Sequence, residues 1–286
     1  MSAQQYWQLD VFADQPLTGN GLAVFPDARG IPAQTLLALT QELRQFESIF
    51  LFPSATLDTY SARIFTVDEE LPFAGHPVLG AAALLHHLHQ RGEEEHWTLE
   101  LPAKAVKVAT RRRGTGFHAE MNQGAADFGT VLDDEARRWF AEAFSLNAAD
   151  LADYPAAVVS TGLPYLLLPV RSEALDRARQ RTDLSAELAK LNAAFVFLLD
   201  VDNREGRTWD GAGIIEDVAT GSAAGPVAAY LVELGKARRG ELFHLSQGRF
   251  VGRPSRLDVQ VGQDDEVRVG GDVQLLARAE LLHRFT

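Results

Sequence analysis

A chain of 286 residues with 46% apolar and 23% charged residues has material for one large core or two of about 140 residues each, and no stretch is polar enough to stay disordered. Its 27 basic against 39 acidic residues leave a net charge of −12, a sign that repels phosphate backbones and argues against nucleic acid as a partner. The absence of cysteine excludes disulfides, thiolate zinc sites and cysteine nucleophiles.

The opening "MSAQQYWQLDVFADQP" has no basic region and no long apolar run, so it does not read as a signal peptide. The longest apolar runs, such as "AAFVFLL", are too short to cross a bilayer. A cytoplasmic protein with no membrane association is expected. "QYWQLDVFAD" alternates like a strand, "PLTGN" supplies turn residues, and "GLAVFP" reads as a second strand. "PAQTLLALTQEL" places Pro32 near a helix start and Leu36, Leu37, Leu39 and Leu43 on one broad face. Strands are expected at "ESIFLFP" and "YSARIFTV", then a largely buried helix in "FAGHPVLGAAALLHHLH", then strands through "HWTLELPAKAVKVATRRR". The three arginines of "ATRRRGTG" read as a solvated polar turn.

The second half repeats this order. "AAVVSTGLPYLLLPV" predicts two strands around a turn, "DLSAELAKL" a helix, and "AAFVFLLDVD" a strand. "GRTWDGAGIIEDVATGSAAGPVAAYLVELG" holds a strand, a turn and another Ala-rich helix, and the remaining segments return to strands. A shift of 146 positions lays Glu70, Gly75 and His76 on Glu216, Gly221 and Ser222. The agreement in element order favours an internal duplication. "HAEMNQGAADFG" is the expected crossing between the two halves.

Each half places a small-residue turn directly before an apolar helix. Free N–H groups at a helix start, aided by the macrodipole, suit an anion, and Gly75 and Gly221 would let it approach the backbone. Neither turn matches a nucleotide fingerprint, so a small carboxylate is the better fit. The plainer alternative is two ordinary helix caps, with Thr220 and Ser222 as cap residues. Asp217 and Glu47 are the acidic candidates. Asp217 lies in a small, apolar stretch near Ser222, and Glu47 lies at the seam of a helix and an apolar strand. Their alternatives are a helix-start acid and a surface glutamate. His76 stands at a helix start, where positive charge is disfavoured and a neutral imidazole can handle a proton. His86, His87 and His89 read as trim at the helix end, and no metal site is expected.

Together "DVFADQPLTGNGLAVF", "ESIFLF", "RIFTVDEELPFAGHPVLGAAALL", "STGLPYLL", "IIEDVATGSAAGPVAAYL", "SQGRFVGRPSRL" and "VRVGGDVQLLARAEL" resemble the phenazine biosynthesis PhzF-like family. The resemblance implies an α+β, diaminopimelate epimerase-like fold. It would have two pseudo-symmetric lobes, each a strand-built barrel around a central helix, with the active site between them. The first lobe is expected over 1–117, with the C-terminal strand, about 275–286, as a candidate to complete it. The second is expected over 118–274.

By the same resemblance Glu47 shuttles a proton, as in the isomerisation of dihydro-hydroxyanthranilic acid. His76 and Asp217 support it, while Ser222 and the Gly75 and Gly221 amides bind a substrate carboxylate. No cofactor is implied, and a homodimer is expected. Related epimerases carry a cysteine before each helix-start glycine. Ala74 and Thr220 occupy those places here, so two-thiol racemisation is excluded. Departures at Gly21, Phe46, Val67, Val78, Trp209 and Val218 bear on the pocket rather than on the proton-handling set. The alternatives to a proton-moving isomerase are a small-molecule-binding or interaction protein that keeps the fold, and a cysteine-independent epimerase.

Overall fold

The structure is a computed structural model that describes residues 4–283 and 285. It divides into two compact units, one running to residue 122 and resuming at 270, the other spanning 123–269. Both divisions fall inside strands, in β8 (Gly116–Ala125) and in the last strand, β16 (Glu266–Glu280).

The first unit holds β1 (Gln5–Val11), β2 (Asn20–Phe25), α1 (Ala33–Leu43), β3 (Glu47–Pro53), β4 (Thr59–Phe65) and β5 (Glu70–Leu71). α2 (Gly75–His89), β6 (Glu94–Glu100) and β7 (Ala105–Arg113) follow. Pairing runs β1-β2-β3-β4-β6-β7-β8-β16, and β16 returns to β1, closing a ring. β2–β3 and β4–β6 are parallel, and the chain between the members of each pair carries α1 or α2, as a parallel connection requires.

α2 is apolar all round, and it is buried from Gly75 to His86 against β1, β2, β3, β6 and β7. Its closeness to the strands depends on Gly80. A Cβ there would lie 2.5 Å from Leu22 Cδ2 and 2.9 Å from Val11 Cγ2, an overlap no core accommodates without moving. α1 covers a separate cluster in which Phe25 stacks on Phe50 and Phe50 meets Phe65 edge-on.

The second unit contains β9 (Asp127–Val131), α3 (Asp134–Ala143), β10 (Ala157–Ser160), β11 (Pro164–Pro169), α4 (Ser172–Arg177) and α5 (Ser185–Lys190). It continues with β12 (Phe195–Asp200), β13 (Glu205–Thr208), α6 (Gly221–Glu233), β14 (Leu242–Gln247) and β15 (Ser255–Val261). Its strands pair in sequence from β9 to β16, again with two parallel neighbours, β11–β12 and β13–β14. α6 is buried against β10, β11 and β15, while Phe140, Phe144, Leu166, Leu168 and Trp209 build a core with the shorter helices.

The succession β1-β2-α1-β3-β4-α2-β6-β7-β8 therefore recurs as β10-β11-(α4, α5)-β12-β13-α6-β14-β15-β16. Register makes the equivalence residue-specific. Phe50 faces Arg63 across β3–β4, and Leu198 faces Arg207 across β12–β13. Leu22 pairs with Glu47 across β2–β3, and Tyr165 pairs with Phe195 across β11–β12. Each unit also carries the same brace before its buried helix. Arg63 grips Glu70 side-on (Nε–Oε1 2.7 Å, Nη2–Oε2 2.6 Å), and Arg207 grips Glu216 (2.8 and 2.5 Å). Both guanidinium groups lie over an aromatic ring two residues on, Phe65 at 5.1 Å and Trp209 at 4.6 Å.

Two expectations change, and one helix is added to those expected. α3 was not read from sequence, because its charged residues dominate and only Phe140, Ala141 and Ala143 are buried. The arginine tract Arg111–Arg113 is the exposed end of β7, with the turn following at Gly114. His86 is not helix-end trim. It is fully buried, with Nδ1 2.9 Å from Thr110 Oγ1 and Nε2 2.9 Å from the Gly92 carbonyl. His87 and His89 lie nearer the surface, on the last turn.

Candidate active site

In the first unit the chain leaves α1 through Arg44, held left-handed at φ 53°, and enters β3 at Glu47. Pairing with Leu22 fixes Glu47 beside β2, and it is only 6% exposed, so the surface-glutamate alternative falls away. Its partner comes from the start of α2. Ala74 is the N-cap, in extended conformation and without a side-chain cap, Gly75 opens the helix, and His76 follows, 4% exposed. Pro77 falls in the first turn, where a missing N–H costs nothing. His76 Nδ1 stands 3.4 Å from Glu47 Oε2, and His76 Nε2 is buried with no hydrogen-bond partner among the described residues.

Burial pushes the His76 pKa down to about 3, and a backbone hydrogen bond with Gly21 opposes this only weakly. The imidazole is therefore neutral at physiological pH. The positive end of α2 favours the same state. A carboxyl group buried beside a neutral imidazole can exchange a proton with a carbon acid without a competing fixed cation.

The second unit presents its own helix start. Asp217 is partly buried, its N–H donating to the Thr208 carbonyl at 3.0 Å. Thr220 is the α6 N-cap, but its side chain does not cap the helix. Its hydroxyl donates to Asp217 Oδ2 at 2.6 Å instead. Gly221 and Ser222 begin α6, and Ser222 Oγ lies 2.7 Å from the Tyr165 hydroxyl. Gln123 Nε2 donates to the Gly221 carbonyl at 2.9 Å, and Gln123 Oε1 accepts from the Thr161 hydroxyl at 2.9 Å. Gln247 accepts from the Thr220 N–H and donates to the Thr220 hydroxyl oxygen.

The ordinary-cap alternative thus fails in both units, because neither helix start has a side-chain cap hydrogen bond. The structure brings Glu47, Gly75 and His76 together in the first unit, and Asp217, Gly221 and Ser222 together in the second. Sequence reasoning missed Tyr165, Gln123, Thr161 and Gln247. Only Gln247 carried a signal, as the polar residue ahead of Gly248 in "SQGRF". Among the described residues no three His, Asp or Glu side chains are gathered so as to hold a metal ion, and no helix is long and apolar enough to cross a membrane.

This arrangement of strands and buried helices is an α+β fold of the epimerase class. A probable proline racemase from Agrobacterium radiobacter shares it at a TM-score of 0.62 and 15% identity, over 97% of this chain and 92% of that one. A structure from Pseudomonas aeruginosa, described as a predicted epimerase, is 66% identical with a TM-score of 0.96, covering 99% of this chain and all of that one. Residues 9–278 match the family of phenazine biosynthesis-like (PhzC-PhzF) proteins, and the chain belongs to that family. A trans-2,3-dihydro-3-hydroxyanthranilate isomerase from Pseudomonas fluorescens is 30% identical over 259 residues, 87% of each chain. The chain is an isomerase of this family.

Proposed function

We propose that this isomerase moves a proton within a small carboxylate-bearing acid of the dihydro-hydroxyanthranilate type, by general acid/base catalysis and without a cofactor. The observation that carries the reading is the buried Glu47–His76 pair, with its imidazole held neutral. The Glu47 carboxylate removes a proton from a substrate carbon. The electron pair shifts through the conjugated system, and the same carboxyl group returns the proton at another carbon, so atoms and charge balance. His76 orients Glu47 and hydrogen-bonds a polar substituent. Asp217 does the same for an amino or hydroxyl group, and the Ser222 hydroxyl with the Gly75 and Gly221 N–H groups receives the carboxylate. Exclusion of water during the transfer keeps the abstracted proton from bulk solvent.

The substrate class is supported by the Pseudomonas fluorescens relative and by the two uncapped helix starts. A second reading, stereoinversion with Glu47 and another acid, is favoured by the epimerase description of the 66% identical structure. Incubating the enzyme with trans-2,3-dihydro-3-hydroxyanthranilate in D2O tests both. The isomerase reading predicts a shifted double bond, seen as an absorbance change with deuterium at a ring carbon. Inverted product chirality without bond migration supports the second reading. No conversion and no exchange across a panel of small carboxylates overturns both and leaves a binding protein.

A further inference from the structure

We propose that Gln247 is a positioning residue that sets the direction of the hydrogen bonds around Asp217, acting through Thr220. The inference rests on the role of Asp217 proposed above. Gln247 is the last residue of β14, is 3% exposed, and comes from a part of the chain remote from the helix start. The backbone N–H of Thr220 meets Gln247 Oε1 at 3.0 Å. A backbone N–H can only donate, so the amide orientation is determined and the other terminal atom is the NH2 group. That group donates to the Asp217 carbonyl at 3.0 Å and to Thr220 Oγ1 at 2.9 Å.

With its oxygen accepting from Gln247, the Thr220 hydroxyl turns its one proton toward Asp217 Oδ2, 2.6 Å away. The direction of every proton in the chain Gln247, Thr220, Asp217 follows from one backbone N–H. Asp217 is thereby held as a hydrogen-bond acceptor on the Oδ2 side, ready for a substrate donor. The following residue reinforces this fit. Gly248 is left-handed at φ 83°, and a Cβ there would lie 2.6 Å from the Val218 carbonyl and closer still to that of Arg253. Only glycine lets the end of β14 lie against the Asp217–Thr220 loop. Thr220 therefore serves as a relay rather than a helix cap, and Gln247 takes over the satisfaction of its N–H.

Two near-isosteric variants of the full-length enzyme isolate the device. Gln247→Glu can still accept from the Thr220 N–H but cannot donate to Thr220 Oγ1. Thr220→Val removes the relay hydroxyl. Each is expected to lower kcat about 10- to 100-fold with little change in KM, the loss expected when a buried directional hydrogen bond is removed. Because both act on one chain of bonds, the double variant should fall no further than the worse single one. Multiplying effects, or unchanged kcat in either single variant, overturn the proposal.

A measurement without substrate keeps the inference separable from the functional reading. In 1H–15N spectra of the resting enzyme, one Gln247 side-chain amide proton should move upfield and exchange faster in Thr220→Val than in wild type. An amide unaffected by Thr220→Val overturns the positioning role even if the enzyme turns over. The amide response in an enzyme that converts no carboxylate upholds the positioning role and overturns the reaction assigned to the site.

Discussion

The two units repeat one succession of strands and helices, yet equivalent positions carry different chemistry. Where β2 and β3 of the first unit pair Leu22 with Glu47, β11 and β12 of the second pair Tyr165 with Phe195. Where α2 places His76, α6 places Ser222. One copy has a buried acid beside a neutral base. The other has hydroxyl groups, a carboxylate held by Thr220, and two glutamines that hold the helix start. What both copies keep is scaffold: the Arg–Glu brace over an aromatic ring, the glycine at the first helical position, and the uncapped helix start. On the proposed function, the two helix ends stay constant while the halves specialise, the first for proton transfer and the second for holding the substrate.

The sharpest test of that shared scaffold is the brace, since the two copies differ mainly in burial. Arg207 and Glu216 are 2% and 10% exposed, and Arg207 is further tied to the Leu175 and Ala178 carbonyls. Replacing Glu216 by Leu leaves a buried guanidinium uncompensated and should cost about 3–5 kcal/mol in urea unfolding.

Next in size is the pH response of the first unit. The folded pKa of His76, about 3, lies below its ordinary 6.5, so between these values the unfolded chain binds the extra proton. Stability should fall as pH drops through that window, by up to about 1.4 kcal/mol per pH unit from this residue. His76→Asn should flatten the slope of unfolding free energy between pH 4 and 6, while Ser222→Ala, the equivalent position, should leave it unchanged.

Division of labour between the halves predicts a kinetic split. Ser222→Ala should raise KM roughly tenfold with a smaller change in kcat, about the value of one hydrogen bond to a charged group. Steady-state kinetics that show the loss mainly in kcat would merge the two roles. The smallest effect belongs to the exposed brace. Arg63 and Glu70 are each about one-third exposed, and although Arg63 holds the Glu70 carboxyl below its ordinary range, solvent screens the pair. Glu70→Leu should cost about 1 kcal/mol or less. An equal loss at Glu70 and Glu216 would show that burial is not what separates the two braces.

Much of this was visible in the amino-acid order, because the information is local. The alternation of β1, the leucine face of α1, and the small-residue turns at Gly75 and Gly221 each occupy one short stretch. His76 and Asp217 stood beside those turns, and Glu47 stood at the seam between a helix and an apolar strand. Tyr165 and Gln123 were not visible, because strand pairing carries them to the start of α6 from distant parts of the chain and each is an unremarkable strand residue in isolation. Gln247 showed only as the polar residue before Gly248. His86 was misread for the same reason. Its position at a helix end suggests a surface charge, but β7 brings Thr110 over it and buries the ring. The polar helix α3 escaped detection because its apolar face is narrow.

The central claim, that the first unit performs the proton transfer, is tested most directly by Glu47→Gln. The measurement is deuterium incorporation from D2O into carbon of trans-2,3-dihydro-3-hydroxyanthranilate, alongside calorimetric binding of the non-reacting 3-hydroxyanthranilate. The account predicts incorporation reduced about a thousandfold or more with binding within a few fold of wild type. Full exchange by the Glu47→Gln enzyme would contradict it.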